Sequence, residues 1–279
     1  MQTGKNQPGV NRSYQKSSFG PAFFFLSKRR RDALAAYYEF CRLMDDIADE
    51  PNVENPLAAL AFWQEEIERV FKQSAQTALG KQLTSVVQEF ALTPDRFLLL
   101  IEGMRADLEG KTYHTLDELT WYLHRVAVVV GLATLDILEV RGPQAQSLAQ
   151  ALGHAVQLTN IIRDVPEDAQ LGRVYLPEDL LARYGLSRMD VLAGREQEKQ
   201  AKLLRRLAQL AYRNYIQAFE NMKQFERSKM LPCRIMGCVY AENLAKIKKT
   251  GFLFSKPVKL TKLEKIKGAL HALFKTVFP

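Results

Sequence analysis

The chain has 279 residues, of which 47% are hydrophobic, 25% charged and 10% aromatic. This usage is typical of a globular protein and excludes a disordered or fibrous chain. The three cysteines form no C-x-x-C pair. They argue against a disulfide scaffold or a zinc ribbon and favour a reducing compartment, so we expect a cytoplasmic protein.

The net charge of +8 is confined to the C-terminal end of the chain. Residues 246–279 contain nine lysines and one acid, Glu264, so they carry the whole surplus and residues 1–245 balance to zero. The body of the protein is therefore not predicted to bind nucleic acid. Residues 1–13 are mostly polar and are predicted to be disordered, and we expect no secretory signal there, because no apolar stretch follows a charged start.

The long stretches without proline predict helices. Three of them, 57–93, 95–142 and 178–231, are rich in helix-forming residues, and their apolar residues recur at spacings of three and four. Alternating patterns typical of strands are hardly visible. We therefore predict an all-α protein with a single domain over residues 14–257. Turns are expected near 51–56, 91–94, 110–116, 141–143 and 185–187.

A first acidic motif ends a predicted helix just before Pro51. Asp45 and Asp49 are four residues apart and share a helix face, which Arg42 and Tyr38 continue one and two turns earlier. Like charges at this spacing repel, and acids at a helix C-terminus oppose the helix dipole. A cation is expected to offset both effects, and oxygen ligands without nearby His or Cys suit Mg²⁺. The alternative is a solvated acidic helix end.

A second acidic motif repeats this pattern. Asn160, Asp164 and Asp168 are four residues apart, with Arg163 among them, and an apolar stripe leads into them from Leu148. Carboxylates on a buried face are costly without a partner. Two such faces, each with an arginine, favour Mg²⁺ bridging protein and diphosphate oxygens. Because Pro166 disfavours helix at the preceding residue, Asp168 could lie beyond a kink.

Taken together, these motifs resemble the squalene/phytoene synthase family over about residues 17–262. The most specific run is Gln157–Pro177, which ends in Gly172-Arg173-x-Tyr175-Leu176-Pro177. Other matching runs are Asp45-Asp46-x-x-Asp49, Gly103-Met104-x-x-Asp107-Leu108 and Tyr122-x-x-Arg125-Val126-Ala127. The segment 44–50 looks closer to bacterial presqualene diphosphate or squalene synthases of hopanoid pathways than to plant-type phytoene synthases.

The resemblance implies an all-α isoprenoid synthase fold around a central cavity. It implies Mg²⁺ ligands at Asp45, Asp49, Asn160, Asp164 and Asp168, diphosphate contacts from Arg42 and Arg163, and a place near the reacting carbons or diphosphates for Tyr38, Tyr122 and Tyr240. The family often has a basic residue near the position of Ser17, where Lys16 is adjacent, and an arginine at the position of Pro257, where Lys256 is adjacent. Ser17 and Lys256 are the candidates for diphosphate contacts at the two chain ends, with Lys16 as a further possible replacement. His124 replaces a usual aromatic residue.

The implied reaction is a Mg²⁺-dependent head-to-head condensation of two prenyl diphosphates. Farnesyl diphosphate is the favoured substrate, giving presqualene diphosphate or squalene, and phytoene formation from geranylgeranyl diphosphate is the alternative. The sequence contains no nucleotide-binding motif that would indicate NADPH use. NADPH use nevertheless stays open, because members of this family can use NADPH without a Rossmann fold. Two other readings are a chain-elongating synthase or class I terpene cyclase, and a non-catalytic lipid-binding or assembly relative. The latter should have lost metal ligands that are present here.

The C-terminal segment 258–279 is predicted to be a basic amphipathic helix. Leu263, Ile266, Leu270, Leu273, Phe274 and Val277 recur at helical spacing, and lysines 262, 265, 267 and 275 surround them. This pattern is typical of interfacial helices and predicts peripheral contact with the anionic inner face of a membrane. The alternative is a helix that caps the bundle with solvated lysines.

Overall fold

The computed structural model describes residues 26–50 and 52–274, so Ser17 and the segment 1–13 lie outside it. Within the described ranges the chain forms helices and no strand, which confirms the predicted all-α fold. The helices are α1 (Lys28–Asp49), α2 (Pro56–Phe71), α3 (Ala78–Phe90), α4 (Asp95–Leu108), α5 (Leu116–Leu123), a π-helical turn (His124–Val128), α6 (Val129–Ile137), α7 (Pro143–Gln170), α8 (Glu178–Arg183), α9 (Arg188–Leu192), α10 (Gln197–Met222), α11 (Arg227–Lys249) and α12 (Lys262–Phe274).

Polar residues that the sequence places before the helices cap their first turns. The side chain of Asn55 accepts a hydrogen bond from the Ala58 amide at the start of α2, and Pro56 occupies the first helical position. Thr77 and Thr115 cap α3 and α5 in the same way. Such caps satisfy amide groups that have no partner within the helix. Each predicted turn coincides with a break between helices, but the breaks at 72–77, 171–177, 193–196, 223–226 and 250–261 were not predicted.

Two clusters of buried apolar side chains hold the helices together. One joins α1–α4 with α6, and the other joins α5 and α7 with the helices that follow them. Helix α7 contacts α10, α11, α6 and the π-helical turn. Cys41, Cys233 and Cys238 are buried and form no disulfide bond.

The contact between α7 and the π-helical turn depends on a glycine. A Cβ atom on Gly153 would lie 2.9 Å from the backbone nitrogen of Val128 and 3.0 Å from its Cα atom. Backbone atoms cannot give way as a flexible side chain can, so no larger residue fits here without moving one element. Gly153 thereby sets the distance between two walls of the central cavity.

Helix α12 packs on α11 through small residues. Gly268, Ala269 and Ala272 are buried, and a Cβ atom on Gly268 would lie 3.2 Å from the Cα atom of Val239. The larger apolar residues Leu263, Ile266 and Leu270 are exposed. Among the described residues, none of the helices is both long and apolar enough to cross a bilayer.

Candidate active site

A cavity of about 630 Å³ lies at the centre of the helices. This volume is within the usual range for small-molecule sites. Its lining divides into an apolar part and a polar part. The apolar part includes Leu100, Met104, Val130, Leu135, Leu148, Leu152 and Val156, and the polar part contains the acidic residues of both motifs.

The first acidic motif reaches the cavity from the last turns of α1. Asp45 and Asp49 both line it, as do Tyr38 and Arg42 on the same helix face. Asp45 is open to the cavity but surrounded by protein, and this desolvation, followed by the charge of Asp49, raises its pKa to about 7. The raised pKa indicates a carboxylate that lacks sufficient positive charge around it.

The second acidic motif faces the cavity from α7. This helix continues through Pro166 to Gln170, so the kink that the sequence suggested does not remove Asp168 from the site. Asn160, Asp164 and Asp168 all line the cavity. Burial and then the charge of Asp164 raise the pKa of Asp168 to about 8. The spacing of four residues thus places three oxygen-bearing side chains on one face.

The donor set fits divalent cations that are shared with a diphosphate. The Asn160 Oδ1 atom is buried without a hydrogen-bond partner, while its Nδ2 atom donates to Gln157 at 3.1 Å. In the described ranges, no three His, Cys or carboxylate side chains converge on a point where one ion could bind. Because Mg²⁺ needs only one or two protein carboxylates when phosphate and water oxygens complete its shell, this spread-out arrangement suits it.

The two predicted diphosphate-binding arginines are paired with acids. Arg163 donates from Nε and Nη2 to both oxygens of Asp164, at 2.7 and 2.5 Å, and Tyr240 accepts a hydrogen bond from the same guanidinium. Arg42 pairs with Asp46 at 2.9 Å, and both side chains are exposed. A guanidinium fork that holds a carboxylate can equally hold a phosphate, because both present two oxygens in a plane.

Arg173 is a site residue to which the sequence assigned no role. It pairs with the Asp49 carboxylate and donates from Nη2 to the carbonyl oxygen of Ala48 at 2.8 Å. The guanidinium therefore supplies positive charge at the C-terminus of α1, where the sequence indicated that a cation was needed. The only available signal was its place in the Gly172-Arg173-x-Tyr175 run.

Asp107 is a second residue that sequence reasoning did not assign. Its carboxylate lines the cavity and accepts hydrogen bonds from the hydroxyls of Tyr122, at 2.9 Å, and Tyr175, at 2.8 Å. The two rings stack with centroids 5.0 Å apart, and the Tyr113 ring packs against Tyr122 at 5.4 Å with its plane tilted by 45°. Burial raises the pKa of Asp107 to about 6, although the two tyrosine hydroxyls oppose this shift.

Comparison with known proteins decides the family. The squalene/phytoene synthase family model matches residues 13–264, which include every described residue of this site. The chain belongs to the squalene/phytoene synthase family. Members of this family are prenyltransferases, which are transferase enzymes of isoprenoid biosynthesis.

Phytoene synthases are among the curated relatives of this chain. It is 33% identical over 249 residues to phytoene synthase 2 of Solanum lycopersicum, covering 84% of this chain and 80% of that protein. It is 36% identical over 207 residues to phytoene synthase of Arthrospira platensis, covering 69% and 67%. The chain spans 66% of the length of phytoene synthase 1 of Solanum lycopersicum and 54% of phytoene synthase 3 of Zea mays.

Solved structures of related synthases share the fold. A dehydrosqualene synthase in complex with a ligand superimposes with a TM-score of 0.85 at 28% identity, covering 95% of this chain and 94% of that one. Squalene synthase HpnC from Alicyclobacillus acidocaldarius superimposes with a TM-score of 0.80 at 25% identity, covering 89% and 92%. The chain is therefore similar both to synthases that make squalene-type products and to synthases that make phytoene.

The site of this family member contains most of the predicted residues. Tyr38, Tyr122, Tyr240, both arginines and all five candidate metal ligands line one cavity. Lys256 is exposed and is not part of the cavity lining found among the described residues. His124, which replaces a usual aromatic residue, begins the π-helical turn, and burial lowers its pKa.

Proposed function

We propose that this chain catalyses the Mg²⁺-dependent head-to-head condensation of two prenyl diphosphates. The observation that carries the proposal is the meeting of two acidic helix faces, each with an arginine, at one apolar cavity. The polar part suits diphosphates and cations, and the apolar part suits prenyl chains. A non-catalytic relative would be expected to have lost metal ligands, whereas all five candidate ligands are present and line the cavity.

The residues of the polar part prepare the leaving group. Diphosphate leaves readily only when its charge is neutralised, and Arg42 and Arg163 are placed to bind its oxygens. Asp45, Asp49, Asn160, Asp164 and Asp168 would hold Mg²⁺. The cation, when bound, supplies further positive charge that stabilises the departing diphosphate.

The fork between Arg163 and Asp164 gives this preparation a defined order. Without substrate, each group satisfies the other within the partly buried site. An arriving diphosphate can take the guanidinium, which leaves both oxygens of Asp164 free for a cation. The free energy cost of separating the pair is then offset by two new charge-assisted interactions.

The apolar part protects the allylic cation that forms when the diphosphate leaves. Water would trap this cation. Apolar side chains of the cavity lining, such as Leu152 and Val156, exclude water. Tyr122 and Tyr175 line the cavity, and their electron-rich rings can stabilise a nearby cation. The double bond of the second prenyl chain then attacks the cation, and loss of a proton closes a cyclopropane ring.

We propose farnesyl diphosphate as the substrate, with presqualene diphosphate or squalene as the product. The support is the sequence of the segment 44–50 and the similarity to squalene and dehydrosqualene synthase structures. A second candidate is phytoene synthesis from geranylgeranyl diphosphate, which the similarity to curated phytoene synthases favours. NADPH would be consumed only if the reaction proceeds to squalene.

We also propose that the reaction takes place at the inner surface of an anionic membrane. The product is a hydrocarbon chain that partitions into lipid, and the charge surplus of the protein is concentrated in residues 246–279. Peripheral contact through this segment would bring the site close to the compartment that receives the product.

Incubation with each prenyl diphosphate tests the reaction. The purified chain is given farnesyl or geranylgeranyl diphosphate with Mg²⁺, with and without NADPH, and the products are identified by mass spectrometry. A thirty-carbon product from farnesyl diphosphate supports the proposal, and a forty-carbon product supports the second candidate. A fifteen-carbon product would indicate a cyclase, and absence of diphosphate release would indicate a non-catalytic relative.

A further inference from the structure

We infer that the outer face of α12 is the surface that docks on an anionic membrane. The face consists of Leu263, Ile266 and Leu270, flanked by Lys262 and Lys267, and we call it the α12 face. The inference deepens the proposed site of action, on which it rests, by naming the residues that enter the lipid and those that contact its headgroups.

The exposure of the α12 face is unusual for this protein. Leu263 is 79% exposed, Ile266 52% and Leu270 48%. These are three of the nine large hydrophobic side chains that are exposed in the described ranges, and they lie within two turns of one helix. Positions 263, 266 and 270 recur at helical spacing, so their side chains form one continuous patch.

The inner side of the same helix is already occupied. Gly268, Ala269 and Ala272 pack on α11, and the small side chains let the two helices approach closely. The bundle therefore does not use the leucines and the isoleucine for its own packing. A helix that only capped the bundle would place its large apolar residues inward and its small ones outward.

Several contacts fix α12 and the segment before it. Lys246 on α11 pairs with Glu264 at 2.8 Å, and Asn243 donates to the carbonyl oxygen of Val258 at 2.6 Å. Lys259 pairs with Glu167, a residue that lines the cavity, at 3.4 Å. The α12 face is thereby attached to two helices that form the active-site wall.

The charge around the α12 face selects the partner. Glu264 is the only acid within residues 246–279, and its pairing with Lys246 leaves the lysines of the outer face without an opposing acid on their own helix. A second copy of the chain would bring lysine against lysine in a two-fold contact, which is repulsive. An anionic lipid surface accepts both the apolar residues and the lysines.

Vesicle binding by the full chain tests the inference. Co-sedimentation is measured with phosphatidylcholine vesicles, with and without phosphatidylglycerol. We expect binding that needs phosphatidylglycerol and weakens with salt, and Lys262→Gln/Lys267→Gln should reduce it by about fivefold per lysine. The triple variant Leu263→Gln/Ile266→Gln/Leu270→Gln should reduce it at least about tenfold, because glutamine keeps helix propensity and removes the apolar contact.

A matched control uses exposed apolar residues elsewhere. Leu57 and Phe62 on α2 are 49% and 43% exposed, and Leu57→Gln/Phe62→Gln should bind vesicles as the unaltered protein does. Turnover of prenyl diphosphates in detergent solution should be equal in all variants, so loss of docking and loss of the proposed reaction are measured separately. Equal vesicle binding by the triple variant, or a dimer that this variant dissociates, would overturn the inference.

Discussion

The carboxylate of Asp107 accepts a hydrogen bond from the hydroxyl of Tyr122 at 2.9 Å. The other oxygen of the carboxylate accepts one from Tyr175 at 2.8 Å, so both hydroxyl protons point to the same acid. The two stacked rings are therefore fixed in position, with their hydroxyls turned toward Asp107. This arrangement indicates that Asp107 positions the aromatic wall of the cavity.

We expect Asp107→Asn to lower kcat by about 10–100-fold, the range typical of lost supporting hydrogen bonds around a site. The substitution replaces one of the two acceptor oxygens by an NH2 donor, and it removes the negative charge that orients both hydroxyls. Steady-state kinetics on Asp107→Asn, Tyr122→Phe and Tyr175→Phe would measure the effect. The control Asp117→Asn changes an exposed acid on α5 and should leave kcat unchanged. Full activity of Asp107→Asn would show that the carboxylate does not position the wall.

Asp45→Asn should reduce turnover at least about 100-fold without loss of the fold, because it removes one charged ligand from the leaving-group site. The protein without Mg²⁺ should be at least as stable as before, since Asp45 and Asp49 repel each other. Activity and thermal melting are measured side by side. Asp32→Asn, on the same helix and paired with Lys28 at 2.9 Å, is the control that should retain turnover. An active Asp45→Asn enzyme would exclude Asp45 as a metal ligand.

Arg163→Ala and Arg42→Ala should lower kcat/KM at least about 100-fold, because each removes a donor that neutralises the diphosphate. Arg163→Ala should in addition lower stability, since it leaves Asp164 without its forked partner. Arg141→Ala separates the two effects. Arg141 donates to the Phe90 carbonyl at the end of α3, so its loss should lower stability and leave the activity of the folded enzyme intact. Equal activity losses in the three variants would mean that Arg42 and Arg163 serve only the fold.

The sequence predicted the parts of the site that depend on helical spacing. Asp45 with Asp49, and Asn160 with Asp164 and Asp168, share faces because each set recurs every four residues. The contact between Arg173 and Asp49 joins residues 124 positions apart, and no local pattern reports such a contact.

Local rules gave an incomplete answer at two further positions. Pro166 removes one helical hydrogen bond, yet α7 continues past it, with Val165 packed against the larger cluster of buried residues. Tertiary packing can thus offset a local preference. Lys256 lies near a family position for arginine, but neighbouring positions in a sequence do not fix the direction of a side chain.

Arg173→Ala should lower the free energy of unfolding by about 1.5–3 kcal/mol, the range for hydrogen bonds that involve a charged group. The Arg173 side chain is only 15% exposed, and its loss leaves Asp49 and the Ala48 carbonyl without this donor. Urea denaturation without Mg²⁺ measures the change. The control is Arg183→Ala. The Arg183 side chain is 71% exposed and pairs with Asp179 one turn away, so its loss should change the free energy of unfolding far less. Equal effects of the two substitutions would remove the assigned role of Arg173 at the end of α1.

The acidic cluster should make stability fall as pH rises in the absence of Mg²⁺. Burial raises the pKa of Asp168 to about 8 and that of Asp107 to about 6, whereas an unfolded aspartate titrates near 3.9. Between these values the folded protein holds more protons than the unfolded chain, so the free energy of unfolding decreases with pH. The loss in free energy of unfolding that comes from ionising these two aspartates is absent below about pH 4 and complete above about pH 8.

Thermal melting from pH 5 to pH 8 should therefore show a decreasing melting temperature, and Asp168→Asn should flatten the slope because asparagine does not titrate. Mg²⁺ with inorganic pyrophosphate should raise the melting temperature more at the upper end of this range, where the ligating carboxylates are ionised and need positive charge. Asp117→Asn should keep the slope of the unaltered protein, since that acid is exposed. If Asp168→Asn and the unaltered protein gave the same slope, Asp168 would not be the group whose proton is held by the fold, and its place among the metal ligands would lose this support.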